Sequence, residues 1–129
     1  MKFVVLVGRI LFSLIFIFSS FGHFTSAYVA YGESMGVPGA AFLVPLSGVL
    51  ALVGGISVLL GYKARWGAWL LVIFLIPVTF MMHRFWSVND PVQLMMQRAF
   101  FMKNLSMLGG AFLIAYFGAG PLSIDNKRA

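Results

Sequence analysis

The sequence predicts an all-α integral membrane protein: a bundle of four transmembrane helices, with a kinked third helix and an interfacial segment before the fourth. Three observations predict it. Of 129 residues, 61% are hydrophobic, and only 9 Lys+Arg and 3 Asp+Glu carry formal charge. Soluble domains run nearer a quarter charged, and disordered chains combine low hydrophobicity with high net charge. The third observation is four continuous apolar stretches. A bilayer core about 30 Å thick takes about 20 apolar residues per helix. The strands of a membrane β-barrel would instead be short and alternate apolar with polar residues. Cysteine is absent, which excludes disulfides, thiolate metal sites and thiol chemistry carried by this chain alone.

The first stretch, about residues 3–30, contains ILFSLIFIFSSFGHF. Lys2, the apolar run and the small pair Ser26-Ala27 imitate a secretory signal peptide. The stretch reads as a first membrane helix that also serves as the targeting signal. Gly32, Gly36, Pro38 and Gly39 then break the chain before the second stretch, about 41–61. The short basic link Gly61-Tyr62-Lys63-Ala64-Arg65 makes the second and third helices antiparallel neighbours. The third spans about 66–82, and Pro77 within it predicts a kink, because the carbonyl of Ile73 loses its hydrogen-bond partner. Asp90-Pro91 is a helix-start signal, a side-chain cap followed by proline at the first helical position. The fourth helix, about 91–119, is expected to run along the interface before crossing. The whole of 1–129 reads as one transmembrane domain.

Lipid is as apolar as leucine, so membrane helices associate where small residues let backbones approach. Ser47, Ala51 and Gly55, with Gly48 and Gly54 beside them, form such a stripe on the second helix. Ser106 with Gly110, and Ala111, Ala115 and Ala119, do so on the fourth.

The net charge of +6 does not point to nucleic acid, because the basic residues lie singly between apolar runs, as interface anchors do. With the N-terminus inside, Lys2, Arg9, Lys63, Arg65, Lys127 and Arg128 fall on the inner side, and Arg84, Arg98 and Lys103 on the outer. The positive-inside rule then places both termini in the cytoplasm. Trp66 and Trp86, at the two ends of the third helix, fit an aromatic belt. Arg9, early in the first span, is expected to snorkel to the inner interface. Glu33 and Asp90 are read as loop residues, solvated or capping.

Polar groups inside membrane helices are costly and mark function. His23 lies 14 residues beyond Arg9, about 21 Å along a helix axis. His83 lies 18 residues beyond Arg65, about 27 Å by the same rise. Asn104 lies 16 residues before Gly120 on an oppositely directed helix, about 24 Å above the inner end. The three heights nearly coincide, and Arg84 and Lys103 adjoin two of them. Ser19, Ser20 and Ser26 sit three or four positions from His23 and can line its face. A polar pocket at the outer end of the bundle is therefore expected, formed by His23, His83, Arg84, Lys103 and Asn104.

Four uses of that pocket are open. The histidines can simply satisfy one another, or backbone carbonyls, near the headgroups. The pocket can bind a quinone, with His and Asn on the ring oxygens, Arg on developing negative charge, and apolar walls on the tail. A haem can sit between His23 and His83 as axial ligands. Copper can bind Met81, Met82 and His83, with Met95, Met96 and Met102 nearby in sequence, although methionine is also a filler of apolar gaps. No acidic pair suggests catalysis, and Gly54-Gly55 and Gly109-Gly110 lack the strand context of a phosphate loop.

Three segments carry a family resemblance: GRILFSLIFIFSSFGHF in the first helix, LVGGISVLLGYKAR leaving the second, and FMKNLSMLGGAFLIAYFGAGPLSID in the fourth. In the last, Lys103-Asn104 and Gly109-Gly110 precede a Gly-Pro and a Ser-x-Asp ending. The chain resembles the DoxX family of small bacterial and archaeal four-helix membrane proteins over nearly its whole length. It departs from the family where Gly48-Val49-Leu50-Ala51 precedes Gly54-Gly55, a place that often holds a glutamate. The resemblance implies a plasma-membrane protein with a redox association. Some members are similar to the small subunit of a thiosulfate:quinone oxidoreductase, others are linked to thiol-stress systems through partners, and distant relatives resemble cargo receptors or assembly chaperones. It implies an accessory redox subunit that binds a quinone-like molecule and works beside other membrane or periplasmic redox subunits. The alternative is a non-catalytic scaffold, chaperone or lipid-binding subunit.

Overall fold

A computed structural model describes residues 1–128, the side chain of Arg128 excepted. Six helices follow in order: α1 Lys2–Ser20, α2 Ser26–Ser34, α3 Ala40–Leu60, α4 Ala64–Met82, α5 Pro91–Phe117 and α6 Ile124–Arg128. Four segments are long and apolar enough to cross a membrane: Lys2–Phe24, Ala40–Leu60, Ala64–Ser87 and Pro91–Phe117. α3 lies at the centre against α1 and α4, and α4 packs in turn on α5.

The first stretch is not the single helix over 3–30 that its apolar run predicts. α1 stops at Ser20, a 3₁₀ turn covers Phe21–Phe24, and Thr25 is extended (φ −94°, ψ 151°). The Thr25 hydroxyl oxygen accepts from the Tyr28 amide and so caps a separate helix, α2. A side chain at Gly22 would strike the Tyr28 ring, so the chain folds back on itself here. Hydropathy cannot see this corner, because both sides of it are apolar. Glu33, expected in a loop, is exposed in the last turn of α2. Gly36 (φ 84°) and Gly39 (φ 57°) then supply the left-handed backbone that separates α2 from α3. Asp90 accepts from the Gln93 amide at 2.9 Å and starts α5 as its sequence signal predicts.

The small residues set how closely the helices approach. A Cβ at Gly55 would lie 3.2 Å from the Cβ of Phe16 on α1, and one at Gly54 would lie 2.9 Å from the carbonyl of Gly67 on α4. Adjacent glycines on α3 therefore serve two different neighbours. Gly110 faces the Phe12 ring of α1, whereas Gly109 faces open space. Around these contacts Phe16, Ala51, Val58, Ala68, Leu71, Leu75 and Ala111 form a dense core. At the opposite end Phe80, Phe85, Trp86 and Phe101 meet edge to face, with centroids 5.2–5.7 Å apart, holding the turn before α5 against that helix.

At the end where the chain starts and finishes, the C-terminal segment folds back over the bundle. Asp125 accepts from the amides of Lys63 (2.7 Å) and Ala64 (2.9 Å), and its own amide donates to the carbonyl of Gly61 at 2.7 Å. A residue some 60 positions away in sequence thus caps the N-terminus of α4. Arg9 corrects the snorkelling expectation. It is only 4% exposed, donates to the Leu122 carbonyl at 2.5 Å, and lies under this segment in the field of Asp125. Among the described residues its Nε and Nη1 have no partner, nor does the buried hydroxyl of Ser13 one turn away. Nothing local in the sequence couples Arg9 to residues more than a hundred positions on.

Candidate functional site

The half of the bundle away from the termini is hollow. A cavity of about 790 Å³ lies between α1, α2, α3, α4 and α5. Its walls are mostly apolar, with Phe16, Leu50, Phe74, Leu75, Val78 and Met107 among them. Four of the five residues expected at the pocket line it: His23, His83, Lys103 and Asn104. The fifth, Arg84, does not. Its Nη2 donates to the Met35 carbonyl at 3.0 Å, tying the α2–α3 connection to the end of α4.

Each imidazole is held through the same nitrogen. His23 Nδ1 lies 2.8 Å from Ser47 Oγ, and that hydroxyl spends its one proton on the Val44 carbonyl at 2.6 Å. Ser47 must therefore accept, and His23 must donate from Nδ1. His83 Nδ1 lies 2.9 Å from Gln97 Oε1, an acceptor, and donates likewise. A neutral imidazole fixed in this way keeps Nε2 as a hydrogen-bond acceptor. The His23 ring is further wedged between Tyr28 and Phe74, with centroids 5.5 and 5.6 Å away, and His83 packs on Phe100.

Asn104 differs from the histidines. It is 3% exposed and lines the cavity, yet among the described residues its amide makes no hydrogen bond. Neither amide atom is among the fully enclosed polar atoms that lack a partner, so the amide opens onto the cavity, and its two donors and its acceptor are available to something within it. Lys103 stands at the rim, exposed, its ammonium 5.1 Å from the centroid of the Phe100 ring.

Of the serines expected around His23, Ser19 lines the cavity. Ser20 instead turns into α1, donating to the Ile17 carbonyl, and Ser26 is exposed. Met81 and Met82 line the cavity, but Met95, Met96 and Met102 face outward on α5, so the methionines are not gathered. Among the described residues no three His, Cys, Asp or Glu side chains come together as a metal cluster would. Sequence reasoning overlooked Gln97, Tyr28 and Tyr31, and it assigned Ser47 to packing alone. Gln97 was within reach: it lies seven residues before Asn104, and Asn104 seven before the buried Ala111, which marks one inward face of α5.

The DoxX family model matches residues 4–84. The chain belongs to the DoxX family. That match takes in His23, His83 and Arg84. Lys103 and Asn104 lie beyond it, within the reach of two full-length relatives. This DoxX protein is 37% identical to inner membrane protein YqjF of Escherichia coli over 96% of its own length and 93% of that chain. It is 29% identical to inner membrane protein YphA of the same organism, over 95% and 88%. A shorter likeness links it to the ER-derived vesicles protein ERV29 of Saccharomyces cerevisiae, 31% identical over 62% of this chain but only 26% of that one. No solved structure matches it significantly. The family and the four apolar helices make this DoxX protein a membrane protein.

Proposed function

We propose that this DoxX protein is an accessory membrane redox subunit that holds a quinone-like molecule in the cavity, near the outer face of the plasma membrane, with both termini cytoplasmic. One observation supports the reading: the Asn104 amide opens onto an apolar chamber beside two oriented histidines, and among the described residues it has no hydrogen-bond partner. An apolar pocket with few convergent polar groups is the usual form of a site for an amphiphilic cofactor. The carbonyls of an oxidised quinone find donors in the Asn104 amide and the Lys103 ammonium. The hydroxyls of its reduced form find acceptors in the two Nε2 atoms. Leu50, Val78 and Met107, half-buried in its wall, offer surface to an isoprenoid tail. When bound, a quinone supplies two-electron, two-proton carriage. Without cysteine, this chain leaves the exchange of electrons to partner subunits in or beside the membrane.

The second reading, a non-catalytic scaffold or lipid-binding subunit, is favoured by the likeness to a vesicle protein. One experiment separates the two. The protein is purified in mild detergent, its lipids are extracted, and ubiquinone-1 and its reduced form are titrated back. The expected result is near-stoichiometric quinone, with affinity about tenfold weaker in Asn104→Leu, as loss of one hydrogen bond implies. Recovery of phospholipid alone, with titrations unaltered by Asn104→Leu and His83→Ala, would reject the quinone reading in favour of the second.

A further inference from the structure

A second cavity, of about 350 Å³, opens at the other end of the bundle, where α4 begins and α5 ends. Lys63 and Arg65 line it. Both are exposed, and among the described residues neither side chain has a hydrogen bond or an ion pair. The guanidinium of Arg65 lies against the bare backbone of Gly118, where a Cβ would come within 3.2 Å of Nε. Lys63 has left-handed backbone (φ 50°), where glycine is the easier residue. Its ammonium stands 5.7 Å from the centroid of the Tyr62 ring. The one acidic residue in the lining among the described residues, Asp125, already has both carboxylate oxygens on the amides of Lys63 and Ala64. Among the described residues the lining is thus net cationic, and its carboxylate is committed.

What flanks these cations decides the ligand. Trp66 and Phe117 also line the cavity and are 72% and 70% exposed. From Trp66 one lipid-facing strip continues along α4 to Trp69, which meets Phe112 of α5 edge to face at 5.9 Å. A polar, cationic recess thus opens onto a groove of aromatic surface between two membrane helices. A free anion would use only the first part of that surface.

We propose that this recess is a binding site for one anionic phospholipid, its phosphate held by Lys63 and Arg65 and its acyl chains laid along Trp66, Phe117 and the Trp69–Phe112 pair. Basic pockets between membrane helices recognise acidic headgroups in this way. The site lies at the opposite end of the bundle from the His23–Asn104 cavity and does not depend on what fills that one.

The test uses the full-length protein reconstituted into vesicles of equal phosphatidylglycerol and phosphatidylcholine, with retained lipid identified by native mass spectrometry. One phosphatidylglycerol should stay bound in strong preference to phosphatidylcholine. Arg65→Gln and Lys63→Gln should each reduce that preference about fivefold, the effect of one cation near an anionic surface. Arg65→Lys should keep most of it, and Lys2→Gln, a charge at the same end but outside the recess, should leave it unchanged. Tryptophan-detected unfolding confirms that each variant is folded. Equal retention of the two lipids would overturn the proposal, as would an equal effect of Lys2→Gln, which would mean diffuse attraction. Complete displacement of the lipid by millimolar inorganic phosphate would overturn it too, by making the site one for free anions.

Discussion

Asp125→Ala tests whether the C-terminal segment holds the bundle or merely rests on it. The change removes two hydrogen bonds, at 2.7 and 2.9 Å, from a carboxylate to the first amides of α4. It also removes the opposite charge that acts on the buried Arg9. Loss of a helix cap alone costs about 1 kcal/mol, and each bond to a charged group is worth about 1.5–3 kcal/mol. Water reaches the exposed Lys63 and screens the charge, so the two bonds together are taken at the upper end of the range for a lost cap, and about 2 kcal/mol is expected for Asp125→Ala. Asp125→Asn keeps one acceptor and should cost about 1 kcal/mol. For a chain of this length each kcal/mol moves the midpoint by about 4 °C. Unfolding in mild detergent, followed by tryptophan fluorescence, should therefore drop by about 8 °C for Ala and about 4 °C for Asn. An Asp125→Ala protein that melts with the wild type would show that the cap carries no stability. Equal losses in the two variants would show that the carboxylate acts by charge and not as a paired acceptor.

The double glycines should behave unequally. Gly54→Val forces a side chain against the Gly67 carbonyl and should cost about 1–3 kcal/mol. Gly109→Ala meets open space and should be neutral, or gain up to about 1 kcal/mol from helix propensity; thermal midpoints check both. Arg9→Met replaces a buried cation with an apolar chain of similar length and should leave global stability within about 1–2 kcal/mol. It frees the Leu122 carbonyl, so hydrogen exchange at residues 122–125 should accelerate; unchanged protection there would mean Arg9 does not hold the segment. Ser47→Ala removes the acceptor that fixes the His23 ring and should weaken ubiquinone-1 binding several-fold without shifting the melting point.

The architecture was legible because hydropathy in lipid leaves a chain little choice: a long apolar run must satisfy its backbone within a helix. The same rise per residue placed His23, His83 and Asn104 at matching depths, and they share a cavity, although His23 sits in the 3₁₀ turn after α1 and His83 just past the end of α4. What the sequence hid was direction. Arg84 is next to His83, yet it turns to the Met35 carbonyl, since adjacent residues at the end of a helix leave it on different headings. Arg9 has the depth of a snorkelling residue, and only the folded C-terminus shows that it is enclosed. Gln97 was passed over because it lies in the stretch expected to run along the interface, where a polar residue needs no explanation.

The cap on α4 also has a temporal side. Ribosomes make Lys63 long before Asp125, so a nascent α4 enters the bilayer with its leading amides bare and waits some sixty residues of synthesis for Asp125 to cover them. A premature stop or a proteolytic clip near residue 120 would leave every spanning segment intact, yet strip the seal from a helix in the middle of the bundle. Shortened copies would thus carry an internal flaw, and cellular surveillance could single them out although their hydropathy is unchanged.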